Sequence, residues 1–253
     1  MRKKMKTLLC FLTVLCLLLS AGCSVTDIGQ RLNPRHTETQ TEAQPETEED
    51  TGSVLPPCPV DLMEYMTQNM EVYAYIDIPG TNISYPIVQS RRDDNYYLRR
   101  NWKGEHDTSG SIFSQTCNTT EFTDPVTILY GHHTSRGNMF SDLLKYKDED
   151  FFNENNLIYI YLPYGVLIYR IFSSHTFDDR HILNSYDFSN PEVLTEFQQM
   201  LLDPPALEKT VAEGVTLNPA NHILTLSTCA EPVSGCNARY LVNGVLIDYV
   251  FEA

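Results

Sequence analysis

A cysteine, an arginine and a histidine follow or precede apolar runs of this chain, where their side chains could meet. Cys229 ends the run ILTLSTC at residues 223–229, Arg239 follows ten residues later, and His132 comes two residues after an apolar run that ends at Tyr130. A thiol with a free pKa of about 8.5 becomes a good nucleophile beside positive charge or a base. Imidazole can exchange a proton with a departing amine, and a guanidinium is a permanent donor for an oxyanion. The three residue types together predict nucleophilic catalysis through a thiolate.

Each residue taken alone has a simpler explanation. A lone cysteine after a strand is commonly an inert buried thiol, and a lone histidine or arginine is commonly structural or surface-exposed. A zinc site formed by His132, His133, Cys229 and Cys236 is the rival chemistry, although these spacings match no common ligand pattern. The order histidine, cysteine, arginine also differs from the order in papain-like peptidases.

The elements that must position these residues are mostly short strands. Runs of β-prone residues predict strands near residues 72–78, 83–88, 111–114, 125–130, 157–162, 166–172, 223–229 and 240–247. Helices are predicted at 61–70, 139–146 and 191–202, the last because Asn190 and Pro191 form an N-terminal signal. About eight strands with few helices indicate a barrel or sandwich carrying helical insertions. In such a fold Cys229 and Arg239 would lie side by side on neighbouring strands.

The charge balance excludes one class of partner. The chain carries 33 acidic against 18 basic residues, for a formal net charge of −15, and four of the basic residues precede position 7. The remainder is therefore strongly acidic and should repel phosphate backbones, so nucleic-acid binding is not expected.

The first 59 residues have the composition of a tether. Residues 1–6 are basic and residues 7–22 are almost continuously apolar, which is typical of a bacterial export signal. The apolar stretch is either an uncleaved anchor helix or a lipoprotein signal that ends at a lipidated Cys23. Residues 24–59, rich in Thr, Glu, Gln and Pro, predict a solvated linker, so the folded domain is expected at 60–253.

The cysteine count does not indicate a disulfide scaffold. Of seven cysteines, Cys10, Cys16 and Cys23 lie in the targeting segment, and the other four contain no CxxC pair. Pairing of Cys58 with Cys117 is conceivable, but unpaired thiols are expected. Cys236 could form a disulfide with Cys229 that would inactivate the nucleophile, as in an oxidation-sensitive switch.

The motifs around these residues resemble those of the sortases, cysteine transpeptidases of Gram-positive bacteria, and among them class B. The run TLSTC at 225–229 with Arg239 ten residues later matches the sortase signature, as does YGH at 130–132. The class B likeness rests on residues 133–140 (HTSRGNMF) and on YIDIPGT, NYYL, GSIF and YDF at 75–81, 95–98, 110–113 and 186–188. The resemblance covers residues 62–251.

The resemblance implies roles for individual residues. Cys229 would be the nucleophile, His132 the general acid/base and Arg239 the stabiliser of the oxyanion or substrate, whereas His133 is not at the family's catalytic position. The residues at positions that line the family's sorting-signal groove are Leu98, Asn95, Ser227, Thr228, Ile182 and Tyr186. Two departures are Tyr75, where a Trp is common, and Asp94, where an Asn is expected although Asn95 is adjacent.

The resemblance also implies the fold and the reaction. The expected fold is mainly β, a closed eight-stranded barrel with an N-terminal helix and a helical insertion between strands 6 and 7. The expected reaction cleaves surface proteins after the Thr of a C-terminal sorting signal, through a thioester, and transfers them to an amine of a peptidoglycan precursor or a pilin lysine. It needs no metal or organic cofactor, and the enzyme would be tethered at the outer face of the cell membrane. A hydrolytic cysteine peptidase and a non-catalytic peptide-binding lipoprotein are the alternatives.

Overall fold

The computed structural model describes residues 57–232 and 237–251. The predicted anchor at 1–23 and nearly all of the predicted linker lie outside the described residues, so the division at 23 and 59 stays a prediction. Within the two described ranges, no helix is both long enough and apolar enough to cross a bilayer.

Strands dominate the described part of the chain. Their bounds are β1 Val72–Asp77, β2 Ser84–Gln89, β3 Ile112–Ser114, β4 Val126–Tyr130, β5 Leu157–Leu162, β6 Gly165–Asp178, β7 Lys209–Val211, β8 Ile223–Cys229 and β9 Ala238–Phe251. They hydrogen-bond in the order β5-β1-β2-β3-β4-β8-β9-β6, and a further β5–β6 pairing closes the circle. The prediction of a closed eight-stranded barrel is therefore confirmed, with β7 as an extra strand on β6.

Two of the pairings in this barrel are parallel. β4 runs parallel to β8, with Tyr130 in register with Ser227, and β2 runs parallel to β3. Parallel neighbours place their carboxyl ends at the same edge of a sheet. The chain segments that leave β4 and β8 are therefore neighbours. Pro86 is accommodated in the central strand β2 because the β2–β3 ladder begins one residue later, at Ile87, so the missing N–H of Pro86 is not needed for that ladder.

The helices are short, apart from one that covers the barrel. They are α1 Leu62–Gln68, α2 Glu149–Glu154, α3 Ile182–Ser185 and α4 Pro191–Leu202, with 3-10 turns at Tyr96–Arg99 and Ser141–Lys147. The side chain of Asn190 accepts hydrogen bonds from the backbone N–H groups of Glu192 and Val193, as its N-cap position predicts. Both α3 and α4 lie between β6 and β7, so the predicted helical insertion is confirmed.

Two helix predictions were wrong in detail. The helix predicted at 61–70 is α1, which ends at Gln68; Met63 on the helix is 55% exposed, and Met70 beyond its end is 90% exposed. Leu62 is the one buried residue of α1, and together with the partly buried Tyr65 and Met66 it packs on an outer apolar cluster that includes Val72 and Tyr75 of β1. The helix predicted at 139–146 is instead the 3-10 turn Ser141–Lys147.

Apolar clusters lie on both sides of the barrel wall, inside the barrel and beneath the helices on its outside. Because side chains alternate along a strand, Leu224 and Leu226 of β8 point into the barrel and Ile223 points outward. The outward layer includes Leu194, Phe197 and Leu201 of α4, packed over the outer faces of β4, β6, β8 and β9. The insertion thus forms a second, smaller core on the outside of the barrel.

Candidate active site

Cys229 and Arg239 face each other across two antiparallel strands. Cys229 is the last residue of β8, Arg239 is the second residue of β9, and the two are register partners. By alternation, Cys229 shares the outward face of β8 with Ile223, and Arg239 shares that of β9 with Leu241. Nη1 of Arg239 lies 3.8 Å from Sγ of Cys229, the two atoms in hydrogen-bonding contact. A fixed positive charge at this distance favours the thiolate form of a cysteine.

His132 reaches the same region from β4. The backbone N–H of Gly131 donates to the carbonyl of Ser227 at 3.1 Å, so the parallel pairing of β4 with β8 continues to the residue before the histidine. Nε2 of His132 is 2.7 Å from the carbonyl oxygen of Leu98. This carbonyl can only accept, so the contact places a proton on Nε2 and fixes the orientation of the ring.

Gly110 allows this approach of His132 to Leu98. Its φ of +65° lies in the left-handed region, and a Cβ there would lie 2.6 Å from the Leu98 carbonyl oxygen and 3.1 Å from Cδ2 of His132. Any larger residue would displace the contact, so glycine is required at this position for both its conformation and its size.

His133 has a different position from that of His132. Its Nδ1 lies 3.1 Å from the backbone carbonyl oxygen of Cys229, so it contacts the main chain at the end of β8. The backbone of His133 also bridges to Met139 across the turn that follows. The ring is therefore placed to hold the strand end that carries the thiol.

A cavity of about 250 Å³ brings these groups together. Its lining includes Cys229, His132 and Arg239, and also five of the six residues predicted to line a groove: Asn95, Leu98, Ile182, Ser227 and Thr228. The sixth, Tyr186, does not line this cavity. Its ring packs against Phe188 and Phe197, with centroid distances of 5.9 and 5.0 Å, so it belongs to the outer apolar layer.

Asn95 and Asp94 lie in different surroundings. Asn95 lines the cavity, whereas the carboxylate of Asp94 accepts hydrogen bonds of 2.9 Å from both the backbone N–H and the hydroxyl of Thr116. Asp94 thereby fastens the loop after β3, and the amide expected near this position comes from the next residue.

Further lining residues were missed in the sequence. They come from the strand end after β3, from Tyr130, and from the segment that joins β6 to α3: Gln115, Tyr130, Phe177, Asp178, Asp179, Arg180 and His181. Tyr130 belongs to the YGH motif but was not predicted to line the cavity, and no local pattern marked the others. The end of β6 was predicted at residue 172, although the strand continues to Asp178. Only the adjacency of Phe177 and Arg239 in the β6–β9 ladder places this segment at the site.

Tyr130, Asp178 and Arg180, all in the lining, have shifted pKa values. Burial raises the pKa of the Tyr130 phenol above its ordinary value, so this residue presents a neutral ring stacked on Phe113 at 5.6 Å. Hydrogen bonds and charge from Arg180 lower the pKa of Asp178, and Nη2 of Arg180 lies 2.5 Å from its carboxylate. The rim of the cavity therefore carries an ion pair at neutral pH.

The zinc interpretation depended on four residues. Among residues 57–232 and 237–251, no group of three or more His, Cys, Asp and Glu side chains is arranged to hold a metal ion. Cys236, the fourth proposed ligand, lies outside the described residues, as does any bond between it and Cys229. Cys58 and Cys117 are free thiols, as expected, and burial raises the pKa of both.

Comparison with known proteins gives concordant similarities. Residues 76–247 match the family model described as the sortase domain. The chain is 33% identical over 194 residues to sortase B of Listeria monocytogenes, and the alignment covers 74% of each protein. It is 30% identical over 181 residues to sortase B of Staphylococcus aureus, and this alignment covers 71% of each protein. The crystal structure of Clostridium perfringens sortase B superposes with a TM-score of 0.66 at 29% identity, covering 74% of this chain and all of that one.

Proposed function

The chain belongs to the sortase family, in its class B, and from this membership and the geometry of the cavity we propose that it is a transpeptidase with Cys229 as its nucleophile. Sortases are cysteine transpeptidases of the cell envelope. The proposal specifies the reacting residues, the peptide bond that is broken and the group that accepts the acyl product. The observation that carries it is the 3.8 Å contact between Nη1 of Arg239 and Sγ of Cys229, at a cavity that His132 also lines.

In the first step, the Cys229 thiolate attacks the carbonyl carbon of a threonine in the sorting signal of a surface protein. The oxyanion that forms accepts hydrogen bonds from the Arg239 guanidinium, which is a donor worth about 3–4 kcal/mol in comparable sites. His132 then protonates the amine as the peptide bond breaks, leaving an acyl thioester on Cys229 and releasing the C-terminal fragment.

In the second step, an amine replaces the sulfur. A primary amine of a peptidoglycan precursor, or the lysine of a pilin, attacks the thioester carbonyl and transfers a proton to His132. The thiolate leaves, and the surface protein is joined to the acceptor by a new amide bond. The chemistry returns both side chains to their starting states and requires no metal or organic cofactor.

The proposed location follows from the N-terminal sequence. Basic residues 2–6 precede the apolar residues 7–22, so the protein would be held at the outer face of the cell membrane by an uncleaved helix or by a lipidated Cys23. The linker at 24–59 would give the domain reach along the envelope.

The test is a transfer assay with a defined acceptor. A fluorogenic peptide library, with threonine at the central position and randomised flanks, is incubated with the protein and excess glycine amide. We expect the new amide product to exceed the hydrolysed peptide, and Cys229→Ala to abolish both. Release of hydrolysed peptide alone would support the peptidase alternative. No turnover, together with no reaction of Cys229 with a thiol-reactive probe, would support the non-catalytic one.

A further inference from the structure

A single hydrogen bond joins two walls of the cavity that are remote in sequence. Oε1 of Gln115, the residue after β3, lies 2.5 Å from Nε2 of His181, which precedes α3. Both residues line the cavity that contains Cys229, and Gln115 is only 7% exposed. Neither residue has a function in the reaction proposed for this cavity.

The direction of this bond follows from a neighbouring one. The backbone N–H of Asn184 donates to Nδ1 of His181 at 3.1 Å, and a backbone N–H can only donate. A neutral imidazole whose Nδ1 accepts carries its one proton on Nε2. Nε2 of His181 is therefore the donor, and its partner must be the amide oxygen of Gln115.

This arrangement fixes which end of the Gln115 amide is available. With Oε1 engaged by His181, the two N–H donors are on Nε2, which makes no hydrogen bond to any residue that the structure describes. Gln115 lines the cavity, so these are uncommitted donors in the lining of a largely apolar space.

The backbone carbonyls of Gln115 and His181 are both fixed by hydrogen bonds. The carbonyl of Gln115 accepts from Nε2 of Gln89 and from the N–H of Asn118, each at 3.0 Å. The carbonyl of His181 accepts from the N–H and the hydroxyl of Ser185, at 3.0 and 2.8 Å. The amide is thus oriented before a ligand arrives, which lowers the entropic cost of binding.

We propose that Gln115 is a substrate-binding residue whose amide N–H donates to a carbonyl oxygen of the peptide in the cavity, and that His181 is the positioning residue that orients it. An extended peptide carries a carbonyl at every residue, and each one that is buried needs a donor. The inference rests on the proposed function, because it takes the ligand to be a peptide.

Substitution of Gln115 by glutamate tests the proposed bond to the peptide without removing the bond to His181. Gln115→Glu keeps an acceptor for His181 but removes both N–H donors, and its carboxylate would repel a peptide carbonyl. With the best peptide from the library described above, we expect the KM to rise about tenfold or more, with kcat within about threefold, since a lost hydrogen bond of ~1.4 kcal/mol is a factor of ten in affinity. Gln199→Glu adds the same charge at an exposed site of α4 and should leave both constants unchanged.

The orienting function of His181 is tested separately. His181→Asn retains a side chain that caps α3 but is too short to reach Gln115, so we expect a smaller rise in KM of about threefold to tenfold with an unchanged melting temperature. Nitrogen NMR of the wild-type protein at neutral pH should report the Nε2–H tautomer of His181, and Gln115→Met should change that signal.

The outcomes distinguish this inference from the proposed function. If the wild-type protein transfers peptides but Gln115→Glu retains the wild-type KM, the peptide contact is wrong and the transpeptidase proposal stands. If His181 carries its proton on Nδ1, the orienting function is wrong whatever the activity. If the wild-type protein turns over no peptide, the proposed function fails and the substrate contact fails with it.

Discussion

At the scale of single residues, the chemistry of the cavity depends on groups that are not interchangeable with their nearest substitutes. Arg239 presents a planar fork of donors beside Sγ of Cys229 and cannot lose its proton, whereas a lysine in its place would present one mobile ammonium. His132 and His133 are adjacent in the chain but contact different carbonyls, those of Leu98 and Cys229. These differences give two predictions.

Arg239→Lys should lower kcat by roughly 10²–10³, because the charge remains but the oxyanion loses a fixed donor. Steady-state transfer kinetics with the library-derived peptide would measure the loss. Arg170→Lys, an exposed arginine of β6 distant from Cys229 in the β6–β9 ladder, is the matched control and should be neutral. Wild-type rates for Arg239→Lys would reduce the arginine to a structural role.

His132→Gln should lower kcat by about 10²–10⁴, as expected for loss of a general acid/base. His133→Gln should cost at most about tenfold, because it removes one hydrogen bond to the Cys229 carbonyl and leaves the proton-transfer group intact. Single-turnover measurement of thioester formation would compare the two variants. The reverse ranking would assign the acid/base function to His133.

At the scale of elements, the junction between β4 and His132 is built without room for a side chain. A Cβ at Gly131 would lie 2.5 Å from Cδ1 of Ile112 and 2.6 Å from Cδ2 of Phe140, and both neighbours are fully buried. These distances explain why a glycine precedes the histidine in the YGH motif at 130–132. The histidine is thus carried by a turn whose backbone packs directly on the barrel core.

Gly131→Ala should destabilise the protein by about 1–3 kcal/mol through overpacking. For a domain of this size, that is a fall in melting temperature of about 2–4 °C for each kcal/mol. Differential scanning calorimetry measures the change. Combining it with Phe140→Leu, which shortens the obstructing ring, should cost less than the sum of the two single variants. Strict additivity would mean that the overlap is not the cause.

At the scale of the whole molecule, the barrel buries a titratable group that the proposed chemistry does not use. His175 of β6 is fully buried, and its Nε2 lacks a hydrogen-bond partner among the described residues. Burial lowers the pKa of this imidazole below the ordinary value of 6.5, with a smaller contribution from Lys209. The folded state therefore favours neutral His175, and unfolding allows it to take up a proton.

The free energy of unfolding should consequently be highest above about pH 6.5 and fall as the pH is lowered toward the folded-state pKa, because the unfolded chain then binds more protons. Urea denaturation at pH 7.5 and 5.5 measures this difference. His175→Leu, of similar volume but without a titrating group, should reduce it, and His106→Leu at an exposed position should not. An equal pH dependence in His175→Leu and the wild type would contradict the assignment.

Much of this architecture was readable from sequence where local patterns are strong. The β-prone run ending at Cys229, the run ending at Tyr130 and the Asn190–Pro191 helix start were predicted within a residue or two, because strand propensity and capping act over a few neighbours. The motif resemblance then indicated which of the short strands belong to one barrel.

Other structural features could not be predicted from the sequence, because they depend on pairing between segments that are distant in the chain. The second half of β6, with its polar Ser173, Ser174 and His175, has no strand pattern of its own and is held between β9 and β7. Gln115 and His181 are 66 residues apart, and nothing local to either one indicates their bond.

The sequence by itself determined the residue types of the site, the ends of the strands that carry Cys229 and His132, and the position of the helical insertion. Only the tertiary structure decided that the second half of β6 borders the site, that Tyr186 lies in the outer apolar layer and that Gln115 lies in the cavity wall. The reason is physical: propensity and alternation are set by neighbours in the chain, whereas register and the closure of a barrel are set by contacts between residues far apart in it.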